Sequence, residues 1–168
     1  MRITSSFVRL ILDGIWKITG REPALCPECN KLMQSHGRCR RHVHLPDGRT
    51  QLSLRVFFCD TCRRYHRELP DFLIPHKYHC AETVASTYDS DMSELDCDAD
   101  DSTIRRLKQW VVDFFELCDK FLLGKEAKHQ PLPFVKNTGN KSRTESSLPV
   151  LRFLVQLLVN SGNWKIVH

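Results

Sequence analysis

Two Cys-x-x-Cys pairs separated by 29 residues (Cys26/Cys29 and Cys59/Cys62), a turn-centred alternation of apolar and polar residues between them, and one strongly amphipathic stretch downstream predict an α+β fold. A small four-cysteine zinc-ribbon β-hairpin module is expected beside a mainly α-helical, helix-turn-helix-like region. The expected layout is an N-terminal amphipathic helix over 1–20, the ribbon over 21–69, the helical region over 70–125, a linker over 126–146 and an apolar helix over 147–168.

The elements follow from local pattern. Phe7, Leu10, Ile11 and Ile15 recur at helical spacing, and Gly20 can stop a helix there. Val43 and Leu45, then Leu52, Leu54 and Val56, alternate with polar residues as in a half-buried strand. Pro46-Asp47-Gly48 between them is turn chemistry, which gives a hairpin over about 38–58. Pro70 and Pro75 bracket an apolar connector, and a short helix is expected from about Lys77 to Tyr88. Ile104, Leu107, Val111, Phe114, Cys118 and Phe121 form one apolar helical stripe, capped by Asp101 or Ser102 and ended by Gly124. Residues 148–159 are apolar almost all round, so that helix needs a covering surface; Pro149 is tolerable in its first turn.

Of the 168 residues, 41% are apolar, which excludes a disordered chain. The formal charge of +5 is spread unevenly. Residues 21–69 hold ten Lys/Arg against five Asp/Glu, residues 70–101 one against nine, and residues 125–168 seven against two. Two basic blocks around an acidic one suit a surface that meets a polyanion. The apolar run at the start is broken by Arg9 and Asp13, and no run approaches the ~18–20 apolar residues of a membrane span. A cytoplasmic chain with reduced thiols and no membrane contact is expected. Paired Cys-x-x-Cys in that compartment points to metal rather than to disulfides.

Structural zinc takes four soft ligands in a tetrahedron, and each Cys-x-x-Cys turn converges two thiolates on one ion. Cys26, Cys29, Cys59 and Cys62 are therefore the expected ligands of a structural Zn2+. Two disulfides or four unrelated buried thiols are the plainer alternatives. A redox pair would need a thioredoxin-like βαβ setting that is missing here. His36 and Cys39 form a His-x-x-Cys pair that can substitute as a ligand. His76, His79 and Cys80 read as a wet loop, Cys97 lacks a spaced partner, and Cys118 reads as a core thiol.

Two catalytic or ion-binding readings fail on missing residues. Some small nucleases set a catalytic histidine between two zinc-binding Cys-x-x-Cys pairs, and His42 and His44 lie in that place. No Asp precedes either, and no Asn lies between Leu45 and Cys59 to complete a hard-cation set. Asp96, Asp98 and Asp100 open like an EF-hand loop, but Asp101 stands where glycine is required and Leu107 where the bidentate glutamate belongs.

Ser102, Thr103, Arg105, Arg106, Lys108 and Gln109 open the long helix, where a recognition helix presents residues to base edges. Arg38, Arg40 and Arg41 on the hairpin, with Arg49 and Arg55, and Arg63 and Arg64 beside the second cysteine pair, are candidate phosphate contacts. A plain amphipathic helix and a solvated surface are the competing accounts.

The order "CPECN…GR", "LRVFFCDTCRRYHRELPDFLIPHKYHCAETV" and "DDSTIRRLKQWVVDFF" resembles a largely uncharacterised bacterial zinc-ribbon family associated with transposases and other mobile elements. The resemblance covers about residues 22–118. It implies a zinc ribbon followed by a helix-turn-helix, with "STIRR…W" as the recognition helix, and double-stranded DNA as the partner. It does not imply catalysis, since the chain is too short for the RNase H-like domain of a three-carboxylate transposase. The acidic segment before "STIRR" departs from a turn of ~3–4 residues. The sequence thus points to a zinc-stabilised, non-catalytic DNA-binding protein, transposase-related or regulator-like. The second reading is a protein-interaction adaptor, binding a protein partner or a second copy through the ribbon and the C-terminal helix.

Overall fold

The first twenty residues are extended, not helical, in the computed structural model, which describes residues 1–90, 97, 99–125 and 146–167. They form β1 (Arg2–Thr4), β2 (Phe7–Leu12) and β3 (Ile15–Gly20). The helical spacing of Phe7, Leu10, Ile11 and Ile15 is overruled by Asp13-Gly14. Both residues take positive φ, 51° and 74°, as a two-residue hairpin turn of the primed type requires. Leu12 then pairs with Ile15, and β2 runs back along β3 to Phe7 opposite Gly20.

The expected hairpin is longer than 38–58 and is not a separate module. β4 (Gln34–Leu45) and β5 (Gly48–Cys59) pair along their whole length around Pro46-Asp47, and β6 (Arg64–Pro70) follows. The six strands form one curled, mixed sheet in the order β1-β6-β5-β3-β2, with β4 on the other edge of β5. The expectation of a small ribbon hairpin beside a mainly helical region is therefore corrected: one six-stranded sheet is the framework, and the cysteine pairs are two corners of it.

β5 organises the sheet. On one edge it pairs only with β4. On the other it pairs in parallel with β3 at Gln51–Ser53, then antiparallel with β6 at Val56–Cys59. Between these stretches the sheet forks, and Arg55 fills the fork. Its Nε and Nη2 donate to Glu68 at 2.7 and 2.9 Å, and Nη2 also donates to the Gly20 carbonyl at 2.7 Å. Glu68, 1% exposed, accepts from the Gly20 N–H at 3.0 Å and faces Arg2 at 3.8 Å. One carboxylate thus joins β1, β3, β5 and β6 in a water-poor place where every lone pair needs a donor. Gly20 is required for packing: a Cβ there would lie 2.6 Å from Glu68 Oε1.

Helices cover one face. α1 (Ala81–Asp89), α2 (Asp101–Lys125) and α3 (Leu148–Asn160) are followed by a 3-10 turn, Asn163–Val167. Ile18, Val43, Leu52, Leu54 and Leu69 alternate along the strands and share one core with Val84, Leu107, Val111, Phe114, Leu151 and Leu154. The cap of α2 is Asp100, whose Oδ1 accepts from the Thr103 N–H at 2.9 Å, rather than Asp101 or Ser102.

The helix-turn-helix expectation is overturned by the same packing. Eleven residues (90–100) separate α1 from α2, not a tight turn, and both helices spend their apolar faces on the sheet core. α3 also packs inside its own chain, burying Leu151, Leu154, Val155, Leu158 and Val159, with Phe153 62% exposed on its outer side. The linker expected over 126–146, except Ser146, and the EF-hand positions Asp96 and Asp98 lie outside the described residues.

α3 secures β1 at its end. Asn160 Oδ1 accepts from the Ile3 N–H at 2.7 Å, and its Nδ2 donates to the Ile3 carbonyl at 2.9 Å. The amide side chain thus stands in for a neighbouring strand. Asn160→Ala orphans a buried backbone pair and is expected to cost roughly 1–3 kcal/mol. A lower urea midpoint at unchanged slope checks this.

Candidate metal centre

The cysteine corners are built alike. In the first, Cys26 N–H donates to the Lys31 carbonyl at 2.8 Å and Asn30 N–H to the Cys26 carbonyl at 2.9 Å. In the second, the Cys62 N–H donates to Cys59 Sγ at 3.4 Å. The residue after each second cysteine, Asn30 or Arg63, takes positive φ (57° and 53°), which curls the backbone under the sulfurs. Pairing of β4 with the end of β5 draws the two corners together.

All four sulfurs lie within 4.8 Å of one another, with Cys29–Cys59 at 3.5 Å and Cys26–Cys62 at 3.9 Å. A tetrahedral ion with metal–sulfur bonds of ~2.3 Å needs sulfur–sulfur separations of about 3.8 Å, so the donor set fits a metal ion. The electrostatics agree. The Lys31 backbone N–H, with the hydrogen bonds of the neighbouring sulfurs, holds Cys29 down to about 7. Hydrogen bonding to Cys29, with burial and the other two sulfurs, pushes Cys62 up to about 12. Four crowded sulfurs cannot all ionise unless a cation sits among them.

The surroundings make the site a second, small core. Ala24, Met33 and Phe57 pack with buried Cys26 and Cys59. His66, 4% exposed, places Nε2 3.7 Å from Cys26 Sγ and lies opposite Phe57 on β6. A histidine in contact with one of the four sulfurs can orient that sulfur toward an ion. Its position relative to the cysteines is a product of strand pairing, so no spacing in the sequence marks it. Among the described residues, His36 and Cys39 do not join the four-sulfur group. Cys39 packs against the main core, and Cys118 is a buried core thiol that burial pushes up to about 12.

The expected DNA contacts are scattered by the fold. Arg38 and Arg40 are exposed on the sheet face away from the helices; Arg38 donates to the Ile18 carbonyl at 2.6 Å and the Ser53 carbonyl at 2.5 Å. Arg41 faces the other way and is consumed by structure, donating to the carbonyls of Ile74 and Lys77 in the proline-bracketed connector. Arg64 pairs with Glu28 at 2.6 Å, and Arg63 lies 5.7 Å over the Phe58 ring. On α2, Ser102 and Thr103 bond to Asp100, Arg106 donates to Thr103 Oγ1 at 3.0 Å, and Gln109 donates to Asp113 at 2.8 Å. Arg105 is exposed and Lys108 half-buried. His42 and His44 share a strand face, but half-buried: His42 Nε2 meets Gln51 at 3.1 Å, and His44 packs 5.0 Å from the His79 ring. No described helix is long and apolar enough to cross a membrane.

A family model described as a domain of unknown function (DUF6431) matches residues 26–107. The matched stretch begins at the first cysteine of the four-sulfur group and ends in α2, and its description assigns no activity. No curated protein and no solved structure matches the chain.

Proposed function

We propose that the chain is a zinc-stabilised DNA-binding protein without chemistry of its own. The ion is Zn2+, held by Cys26, Cys29, Cys59 and Cys62. Four thiolates match the softness of zinc and leave no coordination position open for a substrate, so the metal acts through folding. The observation that carries the binding reading is the charge left over after internal pairing. Residues 26–67 hold nine Lys/Arg against three Asp/Glu. Arg41 and Arg55 are spent on carbonyls and Glu68, and Arg64 on Glu28. Arg38 is spent on the Ile18 and Ser53 carbonyls, which leaves Lys31, Arg40, Arg49, Arg63 and Arg67 exposed. Contacts run through the sheet and its corners, with Arg105 on α2 as an outlying cation. The association with mobile elements implied by the resemblance belongs to the same proposal.

Binding of a labelled random-sequence duplex tests this across a salt series. Log affinity is expected to fall linearly with log salt, with a slope no steeper than about −4.5 for five phosphate contacts. Arg40→Ala with Arg49→Ala is expected to flatten the slope by about 2. No retention even at ~20 mM salt would rule the proposal out and favour the adaptor reading.

A further inference from the structure

Three aromatic rings stand together outside both cores, at the metal end of the sheet. Phe58 on β5 and Tyr65 on β6 are directly opposed, with ring centroids 4.9 Å apart. The His36 ring lies 4.6 Å from Tyr65 and 6.3 Å from Phe58. Tyr65 is 60% exposed, His36 is exposed and Phe58 half-buried. None of the three belongs to the main core or to the cluster around the cysteines.

His36 reaches the group through a backbone irregularity. Ser35 pairs with Phe57 and Gly37 with Val56, so His36 is the extra residue of a β-bulge. Gly37 takes φ 124°, a value L side chains rarely adopt, and permits the bulge. A Phe–Tyr pair across two strands stabilises a sheet without help. It needs neither a bulge that adds a third ring nor the cations that flank it. Arg63 is held over Phe58 by the positive-φ corner of Cys59–Cys62, and Arg67 shares the face of Tyr65, two residues on. The nearby acid, Asp60, accepts from Gln34 at 2.7 Å.

We infer that His36, Phe58 and Tyr65 form a stacking platform for the unpaired bases of single-stranded nucleic acid, with Arg63 and Arg67 holding the adjoining phosphates. Two exposed rings and one half-buried ring on a strand surface, flanked by guanidinium groups, match what a single strand offers: π faces at intervals and a negative backbone between them. A duplex hides its base faces in the stack and gains only the arginines. The inference rests on the nucleic-acid reading above and specifies which form of the polymer the site selects.

The test uses the metallated full chain and three fluorescent probes of ~20 nucleotides: oligo(dT), an abasic strand of the same charge, and a duplex. Wild-type protein is expected to bind oligo(dT) about tenfold more tightly than the abasic strand, a comparison that needs no variant. Tyr65→Ala is expected to lose most of that factor and Tyr65→Phe to keep it, while abasic and duplex affinities stay within about twofold. Equal affinity of wild type for oligo(dT) and the abasic strand would overturn the platform and leave the nucleic-acid reading standing. Binding of none of the probes at low salt would overturn both.

Discussion

Replacing Cys59 with serine is expected to abolish metal binding and to lower the melting temperature by roughly 10 °C or more. β5 connects the two cores: Leu52 and Leu54 are buried among the helices, whereas Phe57 and Cys59 are buried beside the metal corner. Without the ion, the four crowded sulfurs and a few small apolar groups must hold the ends of β4, β5 and β6. Structural zinc contributes on the order of 10 kcal/mol in small zinc domains, comparable with the ~5–15 kcal/mol total stability of a domain. The helical core, which contains no ligand, limits how far the loss spreads. Metal analysis paired with thermal melts of wild type and Cys59→Ser reads both effects. A variant that binds no metal yet melts with wild type would show that the ion is not structural.

Glu68→Ala is the second large effect, expected to cost about 3–5 kcal/mol, or about 10–15 °C for a chain of this size. The side chain is 1% exposed, and its removal leaves the Arg55 guanidinium in a fork of the sheet with the Gly20 carbonyl and the face of the Phe57 ring but no carboxylate. Arg2 retains Glu22 at 3.3 Å. The damage comes from an uncompensated charge rather than from the lost attraction, so a double change that removes both charges should recover part of it. Arg55→Met with Glu68→Leu is expected to be more stable than Glu68→Leu alone, a non-additivity that urea titration of the cycle measures. Gly20→Ala should weaken the same junction from the other side by pushing the carboxylate off its donors. Strict additivity of the two single changes would contradict the ion-network account.

The parts of the fold legible in the sequence are those encoded over short spans. The cysteine corners are written in four-residue figures, the Pro46-Asp47-Gly48 turn in three residues, and the buried stripe of α2 in a repeat of three and four. The N-terminal strands were masked because β2 lies at the sheet edge with Val8, Leu10, Ile11 and Leu12 all exposed, so it shows no alternation. Asp13-Gly14 was the signal that could have identified the hairpin. The junction at Glu68 was hidden for another reason. Its members, at positions 2, 20, 55 and 68, meet only after the parallel pairings of β1 with β6 and β3 with β5 have formed. The same holds for Arg41, which reads as a surface cation and serves as a clamp for a loop. At the aromatic group, Phe58 and Tyr65 are apart in sequence, and His36 joins them through a bulge that no residue pattern announces.

The cysteine corner sets Arg63, and the strand ends beside it carry the aromatic rings, so metal loading and nucleic-acid binding are expected to be coupled. Metal-free protein titrated with Zn2+ while fold and DNA binding are followed together tests that coupling most directly. Near-ultraviolet circular dichroism and the anisotropy of a labelled strand are expected to rise in parallel and to break at one equivalent of zinc. Full DNA binding by metal-free protein, or a folding transition complete before any zinc is added, would contradict it.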